Sequence, residues 1–329
     1  MDLETRPLDP IGVEIHGLSL GEGGGGPSEE TLAALRRTVV DEGLALLRGQ
    51  RLTPDEQVAL GCRLGPLEPM DLDRDGRAPV LGILSNVGAD GAILAADDPR
   101  MRLVRINERW HTDSAFREVP ASFSIFTAVV VPETGGDTFF ASLERAWQTL
   151  SGEDRKGLLG LNGIHDYRSA YRSEADPASV EPISSDPRVD FPVRLHPIAR
   201  RHPESGRTSL YVAEHMGGVE GWPEARGRAL VSRLVAVATH EGAVYRHRWR
   251  AGDVLIWDNR TMIHRAQGFD PRHARVMHHV RVAGSEPPDS GSLESARRAP
   301  APLRERGATR GARRYLPSKF AFSLAAIAL

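Results

Sequence analysis

The stretch Arg109-Trp110-His111-Thr112-Asp113 decides how this chain is read. Read as an extended strand over Leu103 to Asp113, it puts residues two apart on the same face, so His111 and Asp113 present an imidazole and a carboxylate on one wall. Asn107 then shares that face. One imidazole and one carboxylate make an incomplete metal site. A second imidazole would complete two histidines and a carboxylate, which suit Fe(II) and equally suit catalytic zinc.

Working outward, the segments around that core are WHTDSAF at 110–116, TGGDTFFAS at 134–142, HPESGR at 202–207 and GDVLIWDNRTMIHRA at 252–266. The run GVEIHGLSL at 12–20 precedes them. Together, over about residues 5–284, they resemble the taurine/2,4-dichlorophenoxyacetate dioxygenase family of Fe(II)- and 2-oxoglutarate-dependent enzymes. The resemblance implies that His264, in the WDNR-x3-H segment, joins His111 and Asp113 as the third iron ligand. It implies that Arg275 pairs with the inner carboxylate of 2-oxoglutarate, and that the Thr138 hydroxyl assists.

Many family members carry a second arginine that clasps an anionic substrate where this chain has His279. That departure argues against the usual sulfonate or carboxylate clamp. Asn107 and Tyr171 match pocket positions, which makes them candidate substrate contacts with His279. Retained Asp113 implies hydroxylation, because related halogenases have a small residue there. The implied reaction uses O2 and 2-oxoglutarate, releases succinate and CO2, and hydroxylates an unactivated C–H bond of a small organic molecule.

Two alternatives stay open. A zinc hydrolase would use the same three ligands and leave Arg275 and Thr138 without a role. A non-catalytic binding protein on the same scaffold is expected to have lost a ligand or the arginine, and neither is lost here.

Composition sets the outer limits. A chain of 329 residues with 40% hydrophobic content buries a substantial core. The net charge of -2 argues against a dedicated nucleic-acid binder. With Cys62 alone, no internal disulfide forms, and a reducing, cytoplasmic setting is expected. Cys62 lies in the apolar run Val58 to Leu64 and reads as a small core residue. No signal-peptide pattern opens the sequence, and no run reaches the roughly 18–20 apolar residues of a membrane span. The partner is then a small molecule, with self-association left open.

In chain order, residues 11–20 predict a first strand, and Ser28 caps a helix over Thr31 to Val40. Gly43 to Arg48 predicts a buried strand. Thr53-Pro54 opens a helix to about Leu64, with proline in its favoured first position. Val80 to Leu84 is a short strand between loops at 71–78 and 88–102. Ser122 to Val131 is a long strand, followed by helices from Leu143 and Gly152, the second capped by Ser151. Strands at 193–199 and 208–212 precede a helix over Trp222 to Glu241. Strands at 245–249, 254–258 and 275–283 follow it.

This pattern of short strands punctuated by Gly and Pro predicts an α+β, mainly β fold. The resemblance makes it a double-stranded β-helix, or jelly roll, with flanking helices. We expect one domain over 1–284, with lid-like insertions near 85–103 and 172–192, and an arginine-rich tail over 285–329.

Overall fold

Two facing sheets, accompanied by two further sheets of two and three strands, carry the structure, a computed structural model that describes residues 2–21, 26–69, 79–95, 98–171 and 192–289. In chain order the first elements are β1 (Thr5–Pro7), β2 (Val13–Ile15), α1 (Glu29–Glu42), β3 (Leu44–Leu47), α2 (Pro54–Leu64), β4 (Leu81–Ser85) and α3 (Pro99–Ile106). They continue with β5 (Phe123–Val130), β6 (Thr138–Ser142), α4 (Leu143–Thr149), α5 (Gly152–Leu158) and β7 (Asn162–His165). A 3-10 turn (Tyr167–Tyr171) precedes β8 (Arg194–Pro197), β9 (Ala199–Arg201), β10 (Thr208–Leu210) and β11 (Met216–Val219). The last are α6 (Glu224–Ala238), β12 (Val244–His247), β13 (Val254–Asp258), β14 (Met262–Ala266) and β15 (Val276–Val282).

The larger sheet runs β1-β2-β3-β13-β5-β15-β4, and a second runs β12-β6-β14. Alternation along the strands assigns each side chain to a layer. On β13, Leu255 and Trp257 enter a core shared with Phe140 of β6 and Met262 of β14, while Val254 and Ile256 face α1 and α2. On the smaller sheet, Ala141 and Ile263 turn outward to α4 and α6. The order is therefore helix, sheet, sheet, helix. The fold is mostly sheet, with a few covering helices.

The helix starts follow the local chemistry predicted for them. Ser28 accepts from the Thr31 amide, and Thr53 and Glu56 exchange the reciprocal bonds of a capping box with Pro54 at the first position. α1 stops at Gly43, whose φ of 78° suits glycine, and a Cβ there would sit 2.7 Å from Met262 Sδ. Chain reversal and close packing require the same residue.

Four expectations change. β1 was not expected, and the first strand shrinks to Val13–Ile15. Pro99–Ile106 is a helix, where a loop to 102 and then a strand were expected. Cys62 is exposed: the buried residues of α2 are Gln57, Leu60, Gly61 and Leu64, a helical stripe that leaves position 62 outside. β6, β7, β11 and β14 are additional strands. The expected insertion at 172–192 falls almost wholly outside the described residues, as does the tail beyond Asp289. Among the described residues no helix is long and apolar enough to cross a membrane.

Candidate active site

Leu103 to Asp113 does not form the expected strand. After α3 the chain turns, and His111 meets β14 through a one-residue bridge in which the His111 and His264 amides donate to each other's carbonyls at 2.9 Å. That bridge brings the two imidazoles to 4.2 Å between ring centroids. Asp113 then opens a turn, with Ser114 next to it at a φ of 59°. His111 and Asp113 are neighbours because of the bridge and the turn, and not because of strand alternation.

The ligand atoms of His111, Asp113 and His264 all lie within 4.8 Å of one another. The His111 Nδ1 lies 2.7 Å from the Arg109 carbonyl, which can only accept, so this nitrogen carries a proton and Nε2 is the ring atom left to face a metal. His264 Nε2 faces Asp113 Oδ1 at 3.8 Å. The other carboxylate oxygen, Oδ2, accepts from Ser124 Oγ at 2.6 Å. Asn259 in turn donates to Ser124 Oγ at 2.8 Å and accepts from Trp257 Nε1 at 2.8 Å. A relay from the β13–β14 turn thus aims the carboxylate.

Burial pushes His264 well below its usual value, with His111 reinforcing the shift and Asp113 opposing it. Burial alone would raise the Asp113 carboxyl, but the surrounding His264, His279 and His111 hold it below the ordinary carboxylate range. A charged carboxylate and lone-pair-bearing imidazoles are the species a divalent cation requires.

These groups line a cavity of about 550 Å³. Arg275 reaches it from the start of β15 and is 6% exposed. Its amide donates to Asn86 Oδ1 at 2.8 Å and its Nη2 to the Gly136 carbonyl at 3.3 Å, while Nε has no hydrogen-bond partner. A Cβ on Gly136 would stand 3.2 Å from that Nε. Burial lowers Arg275 to about 10, with Asp137 opposing the shift, yet Asp137 itself pairs with Arg246 at 2.6 Å. A buried cation with no carboxylate ion-paired to it among the described residues, beside a three-donor metal site, fits a ligand that brings both a chelating end and a distal carboxylate.

The other expected residues divide. Thr138 lines the cavity and accepts from Trp249 Nε1 at 2.9 Å. Asn107 lines it too, from the turn after α3 and not from a shared strand face. His279 lines it with Nε2 at 3.6 Å from Asp113 Oδ2, its ring stacked on Trp257. Tyr171 ends the 3-10 turn, and its side chain lies outside what the structure describes. Tyr167, at the other end of the turn, lines the cavity.

Ser124, His215 and Arg281 are cavity or relay residues that the sequence reading passed over. Only Arg281 had a local signal, because it lies two residues beyond His279 on one strand face.

The model of the family described as "Taurine catabolism dioxygenase TauD, TfdA family" matches residues 4–282. The alpha-ketoglutarate-dependent 2,4-dichlorophenoxyacetate dioxygenase of Cupriavidus pinatubonensis is 31% identical over 288 residues, 82% of this chain and 94% of that protein. Pentalenolactone F synthase of Streptomyces arenae is 28% identical over 310 residues, 90% of this chain and 100% of that protein. Among solved structures, AAD-2 in complex with Mn(II) and N-oxalylglycine superimposes with a TM-score of 0.77 at 30% identity, covering 87% of this chain and 98% of that one.

Proposed function

The chain belongs to the TauD, TfdA family of dioxygenases, and from that premise we propose that His111, Asp113 and His264 hold its iron while Arg275 and Thr138 bind 2-oxoglutarate. The protein is an enzyme, a 2-oxoglutarate-dependent dioxygenase that uses Fe(II), 2-oxoglutarate and O2 and acts on a small organic molecule. The observation that carries the site assignment is Arg275, a buried cation with an unpartnered Nε in the same cavity as the three donor atoms.

Bound iron supplies O2 activation, and 2-oxoglutarate supplies two electrons as it becomes succinate and CO2, so that a substrate C–H becomes C–OH. The chain's own residues do the positioning. Ser124 and Asn259 fix Asp113, the Arg109 carbonyl fixes His111, and Arg275 neutralises the distal carboxylate. Phe126, Phe269 and Trp257 make much of the wall apolar, which excludes water and strengthens each of those contacts. Neither alternative gains support: a zinc hydrolase gives Arg275 no work, and no ligand is missing as a non-catalytic scaffold would require.

The test is succinate formation by purified protein with Fe(II) and ascorbate. It is expected only when 2-oxoglutarate is present, and its absence with every substrate mixture sinks the reading. A sharper prediction concerns Arg275→Gln. A charge-assisted pair is worth about 1.5–3 kcal/mol, so KM for 2-oxoglutarate should rise roughly 10- to 150-fold. Iron content, measured in parallel, should stay at the parent level.

Three finer readings go with this one. The two packed sheets are read as a double-stranded β-helix, supported by the core that Leu255, Phe140 and Met262 share. Residues 1–284 are read as one domain and 285–329 as a tail, supported by β15 ending at Val282 and the family match ending there too. A reducing, cytoplasmic setting is supported by a lone, exposed cysteine.

A further inference from the structure

Asp113 sits on a turn with no strand of its own, so contacts from outside that turn must fix its backbone. The residue after it, Ser114, has a φ of 59° and is the one non-glycine residue with positive φ among the described residues. For a residue with a Cβ that region is costly, and it persists where the surrounding structure over-determines it. Ser114 has such support. Its Oγ donates to Glu68 Oε1 at 2.7 Å, and both residues are buried.

Glu68 grips the turn at both ends. The Arg117 amide donates to the Ser114 carbonyl at 2.8 Å and closes the turn, while Arg117 Nε lies 2.6 Å from the same Glu68 oxygen that holds Ser114. Arg117 Nη2 also donates to the Pro69 carbonyl at 3.1 Å. Glu68 is anchored in its turn on β15. Its amide donates to the Arg281 carbonyl at 2.8 Å, Arg281 Nη2 stands 3.4 Å from its Oε1, and Leu67 beside it bridges to Val282. A buried carboxylate is costly unless compensated, and two guanidiniums and a hydroxyl compensate this one. A hydroxyl donating to a carboxylate makes one of the stronger hydrogen bonds. The acid thus ties the strand that carries His279 to the backbone next to Asp113.

We propose that Glu68 is a positioning residue for the iron site: it holds Ser114 in the left-handed conformation and so sets the turn that points Asp113 at the metal. The inference rests on the reading of His111, Asp113 and His264 as the ligands. Ser124 has a different role, because it bonds to the Asp113 carboxylate itself and leaves the backbone free. Glycine adopts positive φ at no steric cost. Two substitutions at position 114 therefore part company. Alanine loses the bond to Glu68 and keeps the strain, whereas glycine loses the bond and the strain together.

The test titrates full-length, metal-free protein with Mn(II) alone by calorimetry, with thermal unfolding followed in parallel to show that each variant is folded. Ser114→Ala should bind Mn(II) about tenfold more weakly than the parent, the lower end of what an outer partner of a metal ligand carries. Ser114→Gly removes more of the side chain, yet it should stay closer to the parent than Ser114→Ala does. Packing alone gives the reverse order, since the larger truncation then costs more. Glu68→Ala removes a charge as well as the bond, so it is measured in two backgrounds. It should weaken Mn(II) binding more in the parent than in Ser114→Gly, where no bond remains to lose. Parental affinity in Ser114→Ala, binding by Ser114→Gly no tighter than by Ser114→Ala, or equal losses from Glu68→Ala in both backgrounds overturns the proposal. If Glu68→Ala does not fold, the two position-114 variants decide. A parent that binds no Mn(II) strikes the iron-site assignment and this inference with it, whereas the other failures strike the inference alone.

Discussion

His264→Ala is expected to abolish 2-oxoglutarate-dependent succinate formation, by more than about a hundredfold, because even outer-shell partners of metal ligands cost 10- to 100-fold when removed. The variant should purify with little iron and retain its fold. The fold does not depend on the imidazole, because the His264 backbone completes the reciprocal bridge to His111, which an alanine preserves. Its ring packs against Phe140 and Trp257, with centroids at 5.8 and 4.8 Å, so truncation leaves a void that apolar neighbours partly tolerate. Ser124→Ala provides the contrast. It removes the donor to Asp113 Oδ2 but no ligand, so it should lower iron affinity about tenfold and leave measurable turnover at saturating Fe(II). Iron retention and turnover at parental levels in His264→Ala would remove His264 from the site.

Much of this site is legible in the sequence, though for partly different reasons. His-x-Asp suggested two groups on one strand face, and the groups do lie together, but α3 ends at Ile106 and no strand follows. What joins them is a bridge to β14, a contact between segments far apart in the chain that no local period encodes. Pro99, at the first position of α3, was the missed cue for a helix there, since the Gly- and Asp-rich residues before it favoured a loop. Caps are legible because they are local: Ser28, Thr53 and Ser151 each bond to an amide within the next turn. Ser124 was not legible. It looks like an ordinary strand serine until β13 pairs with β5 and sets Trp257 opposite it, close to Asn259 and Asp113. Gln57 shows the same limit. Helical spacing places it inside, but only the tertiary fold supplies the Ile125 and His278 carbonyls that its amide satisfies.

The turn that delivers His264 carries the second large effect: Asp258→Ala should destabilise the protein by about 3–5 kcal/mol, the cost of stripping one partner from a buried ion pair. Asp258 is fully buried and accepts from Arg260 Nε at 2.7 Å, Arg260 Nη2 at 2.6 Å, the Arg260 amide at 2.9 Å and His202 Nε2 at 2.9 Å. Arg260 continues to Glu204 at 2.6 Å, and Glu204 to Arg36 of α1 at 2.8 Å. The network thus ties the β13–β14 turn to the β9–β10 hairpin and the covering helix. Burial alone would raise the Asp258 carboxyl, but Arg260 and His202 hold it below the ordinary carboxylate range. A depressed carboxyl contributes stability that is complete above its unfolded value and is lost as pH falls through the folded one. The penalty of Asp258→Ala, read from urea denaturation midpoints with an unchanged slope, should therefore be full at pH 7 and shrink toward strongly acid pH. Asp258→Asn keeps the shape but not the charge, so it should fall between the parent and the alanine variant. A loss below about 1 kcal/mol for Asp258→Ala would mean that the turn is held by backbone pairing alone, since one ordinary hydrogen bond is worth about that much.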